Sequence, residues 1–401
     1  MVEIGKSSNK SKIAIVTVGY NRLKSLSRLL ESLTVAEYNA NDIPLVICID
    51  ASGNQELYDY VNAFDWKHGE KYVFIQKERL GLKKHIYFCG DLTRYFKAIV
   101  LLEDDLYVSP FYYDYVKKAV EKYGDDPRIS QISLYKNEGN GYAGLPFHPL
   151  ENGNDVFLLQ DVSTWGECWT EQMWNGFKEW LDGCSEDDIK TAEMPVQIKQ
   201  WDRAWSKYFN AYVDKTNRYN VFPYIPLSTN FGDVGEHGGT NNANVQVHML
   251  WGRKNYVLGD FDTLERYDFF FNNEKLYEWL GLKEDEVCLN LYGNSDNVNK
   301  KRYVLSTKLL PYKVVKSYGL SFKPIELNIK YSIPGEAIFL YDTSEAGKRN
   351  KGTSHGYTYT ALCYFLQNYN ISLVKDVLNA YYKKRIKNKI RKVFKKYILQ
   401  K

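Results

Sequence analysis

Three consecutive acids, Glu103, Asp104 and Asp105, close an apolar run of strand length at residues 98–102. A buried strand that ends in carboxylates delivers them to the edge where open α/β sheets bind ligands. Adjacent carboxylates repel one another and call for a counter-charge, which a divalent cation with a preference for hard oxygen supplies. The alternative is a solvated acidic turn. Comparable groups recur along the chain. Tyr20, Asn21 and Arg22 follow the apolar run 12–18, and Asp50 ends the run 45–49. Lys83 and Lys84 open a basic helical stretch, Asp161 and Glu167 flank a Ser-Thr-Trp-Gly segment, and Asp202 lies between Trp201 and Trp205. His237 stands in a glycine-rich run at 228–239. Hydrogen-bonding and acidic groups at successive strand ends mark the carboxyl edge of the sheet as the place to seek chemistry.

The elements that must position these residues alternate. Near-continuous apolar runs at 12–18, 45–49, 72–76 and 98–102 read as strands covered on both faces. Between them, 23–33 places Leu26, Leu29, Leu30 and Leu33 on one helical face, and 55–64 and 81–95 carry helical spacing. That alternation predicts an α/β fold with a mostly parallel sheet and right-handed crossovers. After the acids, Ser109 is expected to cap a helix with Pro110 at its first position, Tyr112, Val116, Val120 and Tyr123 on its buried face, and Gly124 at its end. Strands at 129–134 and 156–159, a helix at 171–181, a helix through 212 that bears Asp202, and a strand fragment at 223–226 follow. Residues 137–149 and 228–239 read as glycine-rich loops. The expected units are a catalytic domain at 1–254, an α+β appendage at 255–350 with a linker near 345–354, and a helical region at 351–401.

The 401 residues are 44% hydrophobic and 25% charged, the balance of a globular chain. Six cysteines show no C-x-x-C pair or zinc spacing, and Cys48 lies in a strand-like run as a small core residue, so a reducing compartment is expected. No signal peptide or bilayer-spanning run is visible. The net charge of +4 conceals an asymmetry: residues 372–401 hold eleven Lys and Arg against Asp376 alone, which leaves −6 on the rest. Ile386, Ile390, Val393, Phe394, Tyr397 and Ile398 fall on one helical face, with bases over much of the remainder. A helix of this kind lies in the headgroup region of an anionic leaflet; packing on the body is the alternative. The acidic body argues against nucleic acid as a partner.

Together these residues resemble a GT-A glycosyltransferase. Residues 18–22 look like the nucleotide-binding start of the family-two type, and Glu103-Asp104-Asp105 looks like its D-x-D-type metal motif. The closer likeness is to the inverting alpha-1,3-mannosyl-glycoprotein 2-beta-N-acetylglucosaminyltransferase family. That family has an E-D-D-L strand end followed by a Pro-aromatic helix, a W-D-D-W-type site resembled by residues 201–205, and an F-G-x-x-G-x-H-G element resembled by residues 231–238. The likeness covers roughly residues 12–240. Arg203 departs from it, standing where the family has a second acid.

The resemblance implies a Mn²⁺ or Mg²⁺ ion at Asp105 and a nucleotide-diphosphate sugar, UDP-linked by the family's preference. Tyr20, Asn21, Arg22, Asp50, Lys83, Lys84, Glu103, Asp104 and His237 would contact or position that donor, with Asp50 reading the base and Arg22 on the pyrophosphate or steadying Asp50. Asp202 matches the general base of an inverting transfer, with Asp161 and Glu167 as rivals. Trp165 and Tyr142 are candidates for stacking on a sugar. The expected acceptor is a glycan or lipid-linked saccharide of a bacterial surface polysaccharide, at the cytosolic membrane face. The competing classes are a sugar nucleotidyltransferase, whose G-x-G-x-R loop is absent here, and a non-catalytic sugar-binding protein on the same fold.

Overall fold

The computed structural model describes residues 10–39, 42–202, 204–235, 245–348, 356–366 and 371–398. Four parallel strands form one half of its main sheet: β1 (Ile13–Gly19), β2 (Leu45–Ile49), β3 (Lys71–Ile75) and β4 (Ala98–Glu103). Helices α1 (Leu23–Thr34), α2 (Gln55–Ala63) and α3 (Leu82–Gly90) make the crossovers, with a 3-10 turn, Asp91–Tyr95, completing the last. All seven residues of β1 are buried, as the unbroken apolar run requires. On α1, Leu26, Leu29, Leu30 and Leu33 are buried at the spacing the sequence showed, each contributing about 2 kcal/mol by leaving water. Asn54 caps α2 by accepting from Leu57 N at 3.2 Å.

The chain continues through β5 (Leu106–Val108), α4 (Tyr112–Tyr123), β6 (Ile129–Ser133), the small hairpin β7 (Gly139–Asn140) and β8 (Leu145–Pro146), β9 (Val156–Leu159) and β10 (Glu167–Thr170). Next come α5 (Glu171–Gly183), α6 (Glu186–Thr191), α7 (Val196–Lys199), α8 (Trp205–Lys215), β11 (Tyr219–Pro223) and β12 (Ser228–Asn230). The main sheet runs β13-β9-β11-β6-β10-β4-β1-β2-β3, where β13 is Arg266–Tyr267. β10 lies antiparallel to both β4 and β6, and β9 is antiparallel to β11, so the sheet is mostly parallel with reversed members. Helix α3 passes so close to α5 that a Cβ on Gly90 would fall 2.2 Å from the Trp174 ring.

Several expected boundaries move. Ser109 does not start a helix: α4 begins at Tyr112, and residues 106–108 instead form β5, antiparallel to β12. That pairing turns part of the expected 228–239 loop into strand, and residues 236–239, with His237, lie outside the described residues. The strand expected at 223–226 lies earlier, as β11, and β10 was not foreseen at all. Its four residues are too few to show a period. The helix expected through 212 begins only at Trp205, leaving Asp202 in the bend before it.

The remainder mixes short helices and strands. It comprises α9 (Lys275–Leu280), β14 (Val287–Asn290), β15 (Tyr303–Ser306), β16 (Tyr312–Tyr318), α10 (Leu327–Lys330) and β17 (Ile338–Ala346), with a sheet ordered β14-β15-β17-β16. Through β13 and a shared core, in which Phe147, Phe157 and Phe222 pack with Tyr267, Phe271, Leu289 and Ile338, it is joined to the main sheet's β9 edge. Helices α11 (Tyr359–Leu366) and α12 (Ile371–Ile398) close the chain. Leu378, Tyr381, Tyr382 and Ile386 on α12 are exposed, while the side chains of residues 388–398 lie outside the description. No helix among the described residues is long and apolar enough to cross a membrane. All six cysteines are free thiols, and Cys48 is buried in β2.

Candidate active site

Parallel strands put their carboxyl ends on one edge, and three lines of chain meet there. β1 ends in Gly19 and turns through Tyr20 and Asn21 into Arg22, directly before α1. Its neighbour β4 ends in Glu103, in register with Val18, and passes into Asp104 and Asp105. β12 brings Asn230 and Phe231 alongside, with Phe231 N donating to Asp105 O at 2.9 Å.

The acids and Arg22 form one network. Arg22 forks onto Asp104, with Nε donating to Oδ2 at 3.1 Å and Nη2 donating to Oδ1, and Nη2 also lies 3.1 Å from Asp105 Oδ2. Burial works against charge on the guanidinium, but the hydrogen bond and charge of Asp104, then of Asp105, outweigh it and raise its pKa. Asn230 Nδ2 donates to the other Asp105 oxygen at 3.2 Å. Burial, opposed by Arg22, brings Asp104 to about 6. Glu103 is pushed up to about 8 by burial and then by the charges of Asp105 and Asp104. Register explains a further neighbour: Glu167 pairs with Leu101, so it shares a sheet face with Glu103, diagonally placed. Fully buried, with Oε1 lacking a hydrogen-bond partner, Glu167 is raised by desolvation first and by Glu103 second.

The segment after β12 is tied to α1 and to Arg22. Asp233 accepts from Ser25 Oγ at 2.7 Å and from Arg28, while its carbonyl accepts from Arg22 Nη1 at 3.4 Å. Those bonds outweigh burial and hold its carboxyl below the usual range. Arg28 lies 3.8 Å over the Phe231 ring. Asn230, Asp233 and Arg28 were not among the residues singled out by sequence. The signal for Asn230 and Asp233 was the Thr-Asn-Phe-Gly-Asp run, in which attention went to the Phe-Gly pair and to the glycines and histidine that follow it.

The remaining expected residues distribute as follows. Asp50 is buried at the end of β2, and its oxygens accept from Ala51 N at 2.9 Å, Leu80 N at 2.8 Å and Gly81 N at 2.9 Å. It latches the turn into α3, and Arg22 turns to the acids rather than steadying it. Asn21 is exposed and accepts from Asn54 Nδ2 at 3.0 Å, and the Arg79 guanidinium lies 4.7 Å over Tyr20. Lys83, near the start of α3, lies 3.6 Å over the Tyr208 ring, and Lys84 is exposed. Helix α8 feeds β11 at the amino edge of the sheet, and Asp202 is exposed in the bend before it. Trp201 and Trp205 do not enclose it: Trp205 is buried against Trp169. Asp161 follows β9, which runs antiparallel to β11, so it lies toward the edge away from Asp105. Burial takes it to about 7, with Tyr142 donating to Oδ1 at 2.7 Å. Tyr142 is thereby committed to Asp161, and Trp165 packs edge-on against Tyr135 at 4.7 Å.

Whether the site suits a divalent cation follows from its donor set. No three His, Cys, Asp or Glu side chains among the described residues are grouped to hold a metal. Small hard cations need fewer when a substrate brings phosphate oxygens, since one or two carboxylates then suffice. Asp105 offers a carboxylate at the edge, steadied by Asn230 and sharing the Arg22 guanidinium with Asp104, and Glu103 precedes the pair. Those residues fit such an ion.

The sequence matches no family model and no curated protein. Among solved structures it is similar to S. aureus TarS 1-349 in complex with UDP-GlcNAc, at 14% identity over 56% of this chain and 60% of that one, with a TM-score of 0.37. GalNAc-T7 with UDP, GalNAc and Mn²⁺ overlaps at 12% identity over 55% of this chain and 44% of that one, TM-score 0.36. The mannosyltransferase PcManGT from Pyrobaculum calidifontis, in complex with GDP-Man and Mn²⁺, overlaps at 14% identity over 46% and 53%, TM-score 0.32. The chain spans about half the length of the solved structures it matches. Overlaps this partial say nothing about the site, whose chemistry rests on its own residues.

Proposed function

We propose that the protein is an inverting, divalent-metal-dependent glycosyltransferase of GT-A type, moving a sugar from a nucleoside-diphosphate donor to a saccharide hydroxyl. The observation that carries this reading is the convergence of Arg22 with Asp104 and Asp105 where β1 and β4 end side by side. A diphosphate and a cluster of acids repel, so a site that joins them must interleave cations. Arg22 is one such cation, free to pass from carboxylate to phosphate oxygen with the same fork. A divalent ion bound at Asp105 would supply Lewis acidity for the departing nucleoside diphosphate. Asp104 orients Arg22, Asn230 orients Asp105, and Asp233 keeps the segment after β12 tied to α1 through Ser25 and Arg28.

The acceptor hydroxyl needs a base on the face opposite the leaving group. Asp202 supports that role by standing exposed in the bend before α8, whereas Asp161 lies toward the edge away from Asp105 and Glu167 is fully buried. UDP as the nucleotide, and the finer likeness to the N-acetylglucosaminyltransferases of N-glycan branching, rest on the ordered motifs of residues 18–22, 103–105, 201–205 and 231–238. A lipid-linked acceptor of a surface polysaccharide at the cytosolic face rests on the basic charge of α12.

The test is a thermal-shift series of UDP, GDP and dTDP, each with Mn²⁺ and with chelator, since a ligand of the native state raises Tm by mass action. The expected result is a rise with UDP and Mn²⁺ that chelator and Asp105→Asn both remove. Silence with all three nucleotides refutes the transferase. A rise that persists in chelator refutes the metal.

A further inference from the structure

We propose that the exposed indole of Trp251, stacked on Tyr107, is a platform for a sugar ring of the acceptor, one or more units away from the hydroxyl that reacts. This rests on the glycosyltransferase reading above and deepens it by assigning an acceptor subsite.

The platform grows out of the acid cluster itself. In β5, Leu106 and Val108 turn inward, so Tyr107 between them faces outward. Its ring lies 6.4 Å from that of Trp251, with the planes only 18° apart, and 6.1 Å from that of Phe231. Phe231 is the residue whose amide binds Asp105 O. Trp251 is 61% exposed, an unusual state for the largest apolar side chain. One face is supported by Tyr107, which leaves the other for a ligand.

The segment that carries the indole is anchored rather than loose. Leu250 N donates to Pro226 O at 2.8 Å, and Leu250 O accepts from Ser109 Oγ at 2.5 Å. Two hydrogen bonds at the preceding residue fix where the ring stands, so little ordering entropy remains to be lost on binding.

The chemistry of the occupant follows. A pyranose presents a patch of ring C–H groups on one face and hydroxyls around its rim, which suits a flat, rigid, electron-rich surface bordered by polar groups. Arg253, paired with Glu37, lies two residues from Trp251 and supplies such a border. Position then selects which sugar. Tyr107 is two residues beyond Asp105, at most about 7 Å along the chain, and Trp251 is a further ring away. The reacting unit must sit beside Asp105, so the stacked ring belongs further along the acceptor chain.

Saturation-transfer NMR with lactose, chitobiose and α-1,6-mannobiose, each beside its monosaccharides, tests this on the full chain. At least one disaccharide is expected to receive saturation on its ring C–H protons, with Kd weakened about tenfold in Trp251→Ala and held within about twofold in Trp251→Phe. Monosaccharide contact and the Tm rise with UDP and Mn²⁺ are expected to be unchanged in both variants. Disaccharide binding unaltered in Trp251→Ala overturns the assignment. So does a wild type that responds to UDP and Mn²⁺ but touches none of the disaccharides, an outcome that leaves the transferase standing. Loss of binding to phosphatidylglycerol vesicles in Trp251→Ala, with saccharide binding intact, would make the ring a lipid contact and also overturn it. No response to any nucleotide removes the transferase reading and this subsite with it.

Discussion

Replacing Arg22 by alanine leaves Asp104 and Asp105 without the guanidinium they share. Removing one partner of a buried pair costs about 3–5 kcal/mol, because the other charge stays behind in low dielectric. Arg22 keeps 26% of its side chain in water while Asp104 keeps 6%, so the loss should fall at or below the lower end, about 2–3 kcal/mol. Its pH dependence is the sharper test. With Arg22 present the Asp104 carboxyl titrates at about 6, raised by burial and restrained by Arg22. The pair needs an ionised Asp104, so Arg22 contributes fully above that pH and less as pH falls through it. In the variant, burial acts without opposition, the folded-state pKa climbs further, and stability drains away as pH rises. The expected difference from wild type is about 2–3 kcal/mol at pH 8 and under about 1 kcal/mol at pH 5, read from urea unfolding at both. An equal loss at the two pH values, or a variant more stable at pH 8, would refute the pairing. Calorimetric titration with Mn²⁺ alone supplies a second readout: freed of Arg22, the acids should bind the ion more tightly.

Asp161→Asn should flatten the pH dependence of stability, since a buried acid at about 7 against 3.8 unfolded makes the wild type lose about 4 kcal/mol as pH rises across that interval, with none below it; urea midpoints at pH 4 and pH 8 that shift alike in both proteins would contradict it. Asp202→Asn should lower kcat by two to four orders of magnitude, roughly the worth of a general base, while UDP still raises Tm; a parallel loss of nucleotide binding would remove Asp202 from the base role. Truncation after residue 382 should abolish sedimentation with phosphatidylglycerol vesicles at low salt, and unchanged sedimentation would dispose of membrane docking by α12.

Much of the fold was legible because β1, β2 and β4 are short apolar runs whose ends are marked by polar residues, and α1 shows its leucines at helical spacing. Sequence by itself determined that acids stand at the end of a buried strand, with an arginine at the end of another. Which partners those acids take was decided only in three dimensions. Strand order sets β1 beside β4, so Arg22 meets Asp104 across 82 residues, and Asn230 reaches Asp105 across 125. The antiparallel insertion of β10 puts Glu167 next to Glu103, and the reversed course of β9 carries Asp161 toward the other edge. The Tyr107–Trp251 stack joins rings 144 positions apart that no local pattern links. Periodicity records which face of an element is buried, because burial repeats with the backbone. Contact between distant side chains is fixed by strand order and direction, and these leave no period to read.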